Sequence, residues 1–71
     1  MTYTRNHKEF DLQHNGKTYH IEQWEEVEKF SYCGDWKTLV DGEEMPKRFA
    51  WDIRTTKHTK REIIRFIENY L

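Results

Sequence analysis

A single cysteine, Cys33, rules out an internal disulfide, and no basic start leading into an apolar run, nor any apolar stretch long enough to span a bilayer, appears in the chain. The expected setting is therefore a reducing cytoplasm. One proline, Pro46, and three glycines exclude a proline- or glycine-rich linker, and the sequence shows no internal repeat. Gly34 and Gly42 do not lie between a strand and a helix, so no phosphate loop of the nucleotide-hydrolysing kind is expected. Charge of one sign is missing too. The 12 Lys/Arg and 13 Asp/Glu leave a net charge of −1, which removes the simplest case for a non-specific nucleic-acid coat or an acidic DNA mimic.

What is present is a thin but aromatic core. Only 35% of the residues are hydrophobic and another 35% are charged, yet three Trp, four Tyr and four Phe bury large areas from few positions. Disorder goes with few aromatics, many prolines and lopsided charge, none of which holds here. A chain of 71 residues buries only about 60% of its unfolded surface, so residues 1–71 are expected to form one domain. The charge is two-sided along the chain. Residues 9–44 carry ten acids against three lysines, whereas residues 45–65 carry seven Lys/Arg against Asp52 and Glu62.

Asn15-Gly16 predicts a type I′ hairpin turn within a hairpin over about 8–22. It sets Leu12 opposite Tyr19 and Phe10 opposite Ile21 on one face, with Asp11 opposite His20 on the other. The acidic segment 22–30 fits either a helix with Trp24, Val27 and Phe30 on one arc or a long, bent, bulged strand, with a lean toward the strand. Gly34-Asp35 and Asp41-Gly42 bound a short strand over about 36–40. Strict alternation of Phe49, Trp51 and Ile53 with polar neighbours predicts a further strand over about 47–54. Thr59-Lys60-Arg61-Glu62 is a capping box that opens a helix over about 60–70. Ile63, Ile67 and Tyr70, flanked by Phe66 and Leu71, should lie across Phe49, Trp51 and Ile53. The expected fold is α+β: a small antiparallel meander of three or four strands packed against one C-terminal helix.

Two groups of residues invite a functional reading. The first is acidic and aromatic: Glu22, Trp24, Glu25, Glu26 and Glu28, with Tyr32 and Trp36 beyond. Aromatic anchors ringed by carboxylates grip basic surfaces on other proteins; the bland alternative is a surface segment whose Trp24 is core. The second is basic: Arg54, Lys57, Lys60, Arg61 and Arg65, with His58 among them. A helix N-terminus already carries partial positive charge, so cations there are unfavourable by roughly 0.3–1 kcal/mol each unless an anion is near. Backbone N–H groups with Lys and Arg would suit a nucleic-acid phosphate or a phosphorylated small ligand, although solvated side chains are the commoner outcome.

Catalysis is not expected. Glu25-Glu26, Glu43-Glu44 and Asp11 lack the signature of an acid–base pair, and Cys33 has no base in sequence reach. His7, His14, His20 and His58 show no ligand spacing and read as solvent-exposed, so neither metal nor cofactor is expected. The leading expectation is a non-enzymatic module that binds another protein through the acidic-aromatic surface. In size, charge and lack of motifs the chain resembles the small accessory proteins with which bacteriophages inhibit host enzymes or defence systems, which would place it in a bacterial cytoplasm. The alternatives are a nucleic-acid-binding domain and a binder of a small phosphorylated ligand, both using the basic strand end and helix start. A homodimer through an exposed edge at 36–40 is left open.

Overall fold

Asn15 and Gly16, at φ 52° and 77°, close a two-residue turn, and Asp41 and Gly42, at φ 50° and 84°, close a second. The computed structural model describes residues 2–28, 34–50 and 53–71. Its strands β1 (Thr2–His14), β2 (Lys17–Glu28), β3 (Asp35–Val40) and β4 (Glu43–Glu44) form one antiparallel sheet in sequential order. Among the described residues a single helix, α1 (Lys60–Tyr70), follows. No helix among the described residues is long and apolar enough to cross a membrane. At about 3.3 Å per residue, the β1–β2 hairpin runs the full 43 Å length of the molecule.

The expected hairpin register is present, with Phe10 opposite Ile21, Asp11 opposite His20 and Leu12 opposite Tyr19. The acidic segment continues β2 as strand to Glu28, and its kink is taken up by β1. Between Arg5 and Lys8 the register shifts, with Asn6 at φ 56°, so Asn6 and His7 together face Trp24. Phe30 lies outside the described residues.

One sheet face is covered. Tyr19, Ile21, Val40 and Met45 are buried with Ile63 and Ile67 of α1, and Phe10, Leu12 and Phe66 pack against them. The capping box forms as expected, with Glu62 N–H donating to Thr59 Oγ1 and Thr59 N–H donating to the Glu62 carboxylate. Tyr70 departs from expectation: it is 71% exposed and stacks on Phe66 at 5.2 Å rather than covering the sheet, and Leu71 is also exposed.

The expected strand over 47–54 is corrected. After β4 the chain follows β3 only as far as Met45, whose N–H donates to the Thr38 carbonyl. Pro46 comes next, and the ladder goes no further among the described residues. Among the described residues, Phe49 instead bridges Thr55. Phe49 is 62% exposed, and Ile53 is 82% exposed at a left-handed φ of 61°. The helix face that these residues were to cover is already occupied by β1, β2 and β3. Trp51 and Asp52 lie outside the described residues. The free edge expected at 36–40 is likewise partly covered, since β4 pairs with Leu39 and Val40.

Candidate functional site

The inward face of β2 reads Tyr19, Ile21, Gln23, Glu25, Val27, so polar side chains interrupt an apolar stripe. Gln23 is buried and its Nε2 donates to Thr38 Oγ1 (3.2 Å) and to the His58 carbonyl (3.0 Å). Thr38 Oγ1 lies 3.1 Å from His58 Nδ1, and His58 Nε2 lies 2.9 Å from the Pro46 carbonyl. The carbonyl can only accept, which places the proton on Nε2 and lets the Thr38 hydroxyl donate to Nδ1. His58 is therefore buried, against the expectation of an exposed side chain. Its role is to tie the start of α1 to the middle of the sheet. Gln23 Oε1 accepts no hydrogen bond among the described residues.

Above this network lies a cleft of about 550 Å³ between β1 and the start of α1. Lys8, Lys57 and Lys60 line it over an apolar floor that includes Phe10 and Ile63, with Gln23, His58, Thr59 and Asp11 completing the wall. Lys8 Nζ stands over the Phe10 ring at 5.3 Å, and Lys57 Nζ over the Trp36 ring at 5.5 Å. None of the three lysines forms an ion pair among the described residues.

The basic group expected from sequence is thereby divided. Lys57 and Lys60 enter the cleft. Arg65 lines a second, shallower hollow of about 390 Å³ with Arg48 and Lys47, while exposed Arg61 and Arg54 line neither. Arg48 pairs with Glu62 at 3.1 Å. Burial pushes the Glu62 carboxyl up, but the Thr59 backbone and hydroxyl donors, with Arg48 and His58 nearby, outweigh it and the net direction is down.

The acidic-aromatic group is divided more sharply, between the two faces of the sheet. Glu22, Trp24 and Glu26 share the uncovered face, where Thr4 and His7 join them around a hollow of about 360 Å³. Much of that charge is already engaged. His7 Nε2 lies 2.9 Å from Glu22, Lys37 Nζ lies 3.5 Å from Glu26, and Trp24 Nε1 donates to Glu26 at 3.3 Å. The His7 ring holds the Glu22 carboxyl below its ordinary range against an opposing push from burial. Asp11, 3.2 Å from His20, raises that imidazole. Glu28 is exposed at the end of β2, and Tyr32 lies outside the described residues, as does Cys33.

Glu25 and Trp36 face the other way. Trp36 is opposite Glu25 in the β2–β3 ladder and shares the inward parity of Thr38 and Val40. The Glu25 carboxylate is buried and accepts from Arg5 Nε (2.7 Å), Asn6 Nδ2 (3.2 Å) and the Gly34 N–H (3.0 Å). Arg5 is the chief reason its carboxyl lies below the ordinary range; burial opposes this, and Gly34 and Asn6 reinforce it. Gly34 can only be glycine here, because a Cβ would sit 2.5 Å from the Glu26 carbonyl oxygen. Glu25 is a structural residue.

Lys8, Gln23 and Thr38 are cleft or network residues that the sequence did not single out. A signal existed for Gln23, a polar residue at the inward parity of a strand whose neighbours Ile21 and Val27 are core, and for Lys8, which shares the face of Phe10 and Leu12. Lys8 reaches the cleft because the register that pairs Leu12 with Tyr19 and Phe10 with Ile21 runs on to set it opposite Gln23. In comparisons with protein-family models, curated proteins and solved structures this chain matches none, so its function is read from the cleft and the open face themselves.

Proposed function

We propose that this chain is a non-enzymatic binding module that takes a small phosphorylated ligand in the cleft between β1 and the start of α1. The observation that carries the reading is that Lys8, Lys57 and Lys60, none ion-paired among the described residues, all line one concave site with an apolar floor. Concave apolar sites with a few convergent polar groups are where small ligands bind. Lysine ammonium groups act on phosphate as point charges.

The test is a tryptophan fluorescence titration with inorganic pyrophosphate and with a set of nucleoside monophosphates, since Lys57 sits over Trp36. Saturable binding that weakens at least about tenfold in a Lys57→Ala/Lys60→Ala variant is expected, as charged hydrogen bonds contribute about 1.5–3 kcal/mol each. Equal affinity in the variant rejects the site. Silence toward these ligands with saturable, steeply salt-dependent binding of DNA or RNA oligomers would transfer the lysines to a nucleic-acid role.

A second reading is favoured by the uncovered face, where Trp24 is half-buried between Glu22 and Glu26. It would dock a basic surface of another protein there, as an inhibitor of the phage type would. Reversing Glu22 and Glu26 to Lys should then abolish capture of that partner and leave cleft binding intact. Glu25 is excluded from this test because its reversal would bury a like charge beside Arg5.

A further inference from the structure

We propose that His7, Glu9 and Glu22 form a binding site for one divalent transition-metal ion, zinc being the chemical type, on the uncovered face at the β1 bulge. The site is independent of the lysine cleft. Glu9 is directly opposite Glu22 in the hairpin, a like-charge cross-strand pair that is unfavourable unless a cation lies between. The bulge brings His7 to the same place from the other side of the register shift. His7 Nε2 is 2.9 Å from Glu22 Oε2 and 3.9 Å from Glu9 Oε1, and one ligand atom from each of the three residues falls within 4.8 Å of the others. Donors around a tetrahedral ion with bonds of about 2.0–2.2 Å lie roughly 3.3–3.6 Å apart, so small side-chain movements, His7 and Glu22 apart and Glu9 inward, would complete the site.

The donor set identifies the class of ion. One imidazole nitrogen with two carboxylates suits borderline ions such as zinc, whereas magnesium and calcium prefer oxygen alone. On binding, the proton that Nε2 donates to Glu22 passes by way of solvent to Nδ1, which frees the Nε2 lone pair for the metal, and the Nε2–Glu22 hydrogen bond is replaced by one metal bond to Nε2 and one to the carboxylate. Three protein ligands leave the remaining positions open to solvent. The other His–carboxylate contacts on the surface, His20 with Asp11 and His14 with Glu68, are not among the three-ligand groups of the described residues and serve as internal controls.

Calorimetric titration of the intact protein with zinc chloride, repeated with cobalt chloride while following the visible absorption of the bound ion, tests the site. One equivalent should bind. The affinity should fall at least about tenfold in His7→Ala and in Glu22→Gln, since even outer-shell partners typically contribute that much, and it should be unchanged in His20→Ala. A circular dichroism melt of each variant shows whether it is folded, and Glu9→Gln offers a third test on an exposed side chain. Absence of saturable binding to the wild type, or an affinity lost equally in His20→Ala, would overturn the proposal.

Discussion

The two ends of the β1–β2 hairpin share the same strands and are held by opposite means. At the turn end, Phe10, Leu12, Tyr19 and Ile21 lie under α1, and the contacts are apolar. At the open end the inward face carries Glu25, and what fixes it is a set of directed bonds from Arg5, Asn6 and the Gly34 backbone. Apolar burial is tolerant of small displacements and indifferent to pH, whereas a buried carboxylate keeps its value only while ionised and fully bonded. The same chain therefore combines a forgiving end, which bears the cleft, with an exacting one. Substitutions at each end should separate them.

The largest effect is expected at the turn end. Ile63→Ala removes a fully buried side chain between helix and sheet and should cost about 2–5 kcal/mol in urea unfolding, a large share of the stability of so small a domain. A loss below about 1 kcal/mol, the range of a tolerated volume change, would mean that α1 is not what holds the turn end.

At the open end, Gly34→Ala places a Cβ within 2.5–2.8 Å of the Glu26 carbonyl oxygen, Glu25 Cγ and Val27 Cγ2. Backbone cannot yield as a side-chain tip can, so a cost of roughly 1–3 kcal/mol is expected. Glu25→Gln should cost about as much, roughly 1–3 kcal/mol, because three donors lose a charged acceptor, and it carries a second signature. The Glu25 carboxyl lies below its ordinary range in the folded state, so its stabilisation is complete above the unfolded value of about 4.3 and is lost as pH falls through the folded value. Wild-type stability should drop across that acidic window, and Glu25→Gln should flatten the drop. An acid limb unaltered by Glu25→Gln would assign the open end to some other contact.

How much of this was legible follows the same division. The turn and helix were readable because Asn15-Gly16 and the Thr59–Glu62 capping box are local signals whose physics needs no distant partner. The open end was not. Choosing strand over helix for 22–30 would already have put Glu25 on the opposite face from Glu22, Trp24 and Glu26, but the periodicity of that segment left both open. The strand expected at 47–54 failed because alternation shows only that a face is available. Whether a neighbouring strand can supply a ladder is another matter, and the pairing with β3 reaches only to Met45. In the cleft, Lys57 and Lys60 were visible as a basic run, and the register set by the Asn15-Gly16 turn runs on unbroken to Lys8 opposite Gln23; what no local signal shows is that the start of α1 docks beside them.

The smallest predicted effect sharpens the comparison by setting directed bonds at the apolar end. Thr59 caps α1 through its hydroxyl, yet unlike Glu25 it is exposed. Water can replace much of what Thr59→Ala removes, and the cost should be about 1 kcal/mol, within the roughly 0.5–2 kcal/mol found for such caps. The loss should be insensitive to pH at neutrality, since Glu62 stays ionised there with its carboxyl held below the ordinary range. If Thr59→Ala instead costs as much as Glu25→Gln, directionality rather than burial sets the value of a polar contact in this fold. If it costs least of the four, burial does, and the exacting end of the hairpin owes its character to the depth of Glu25.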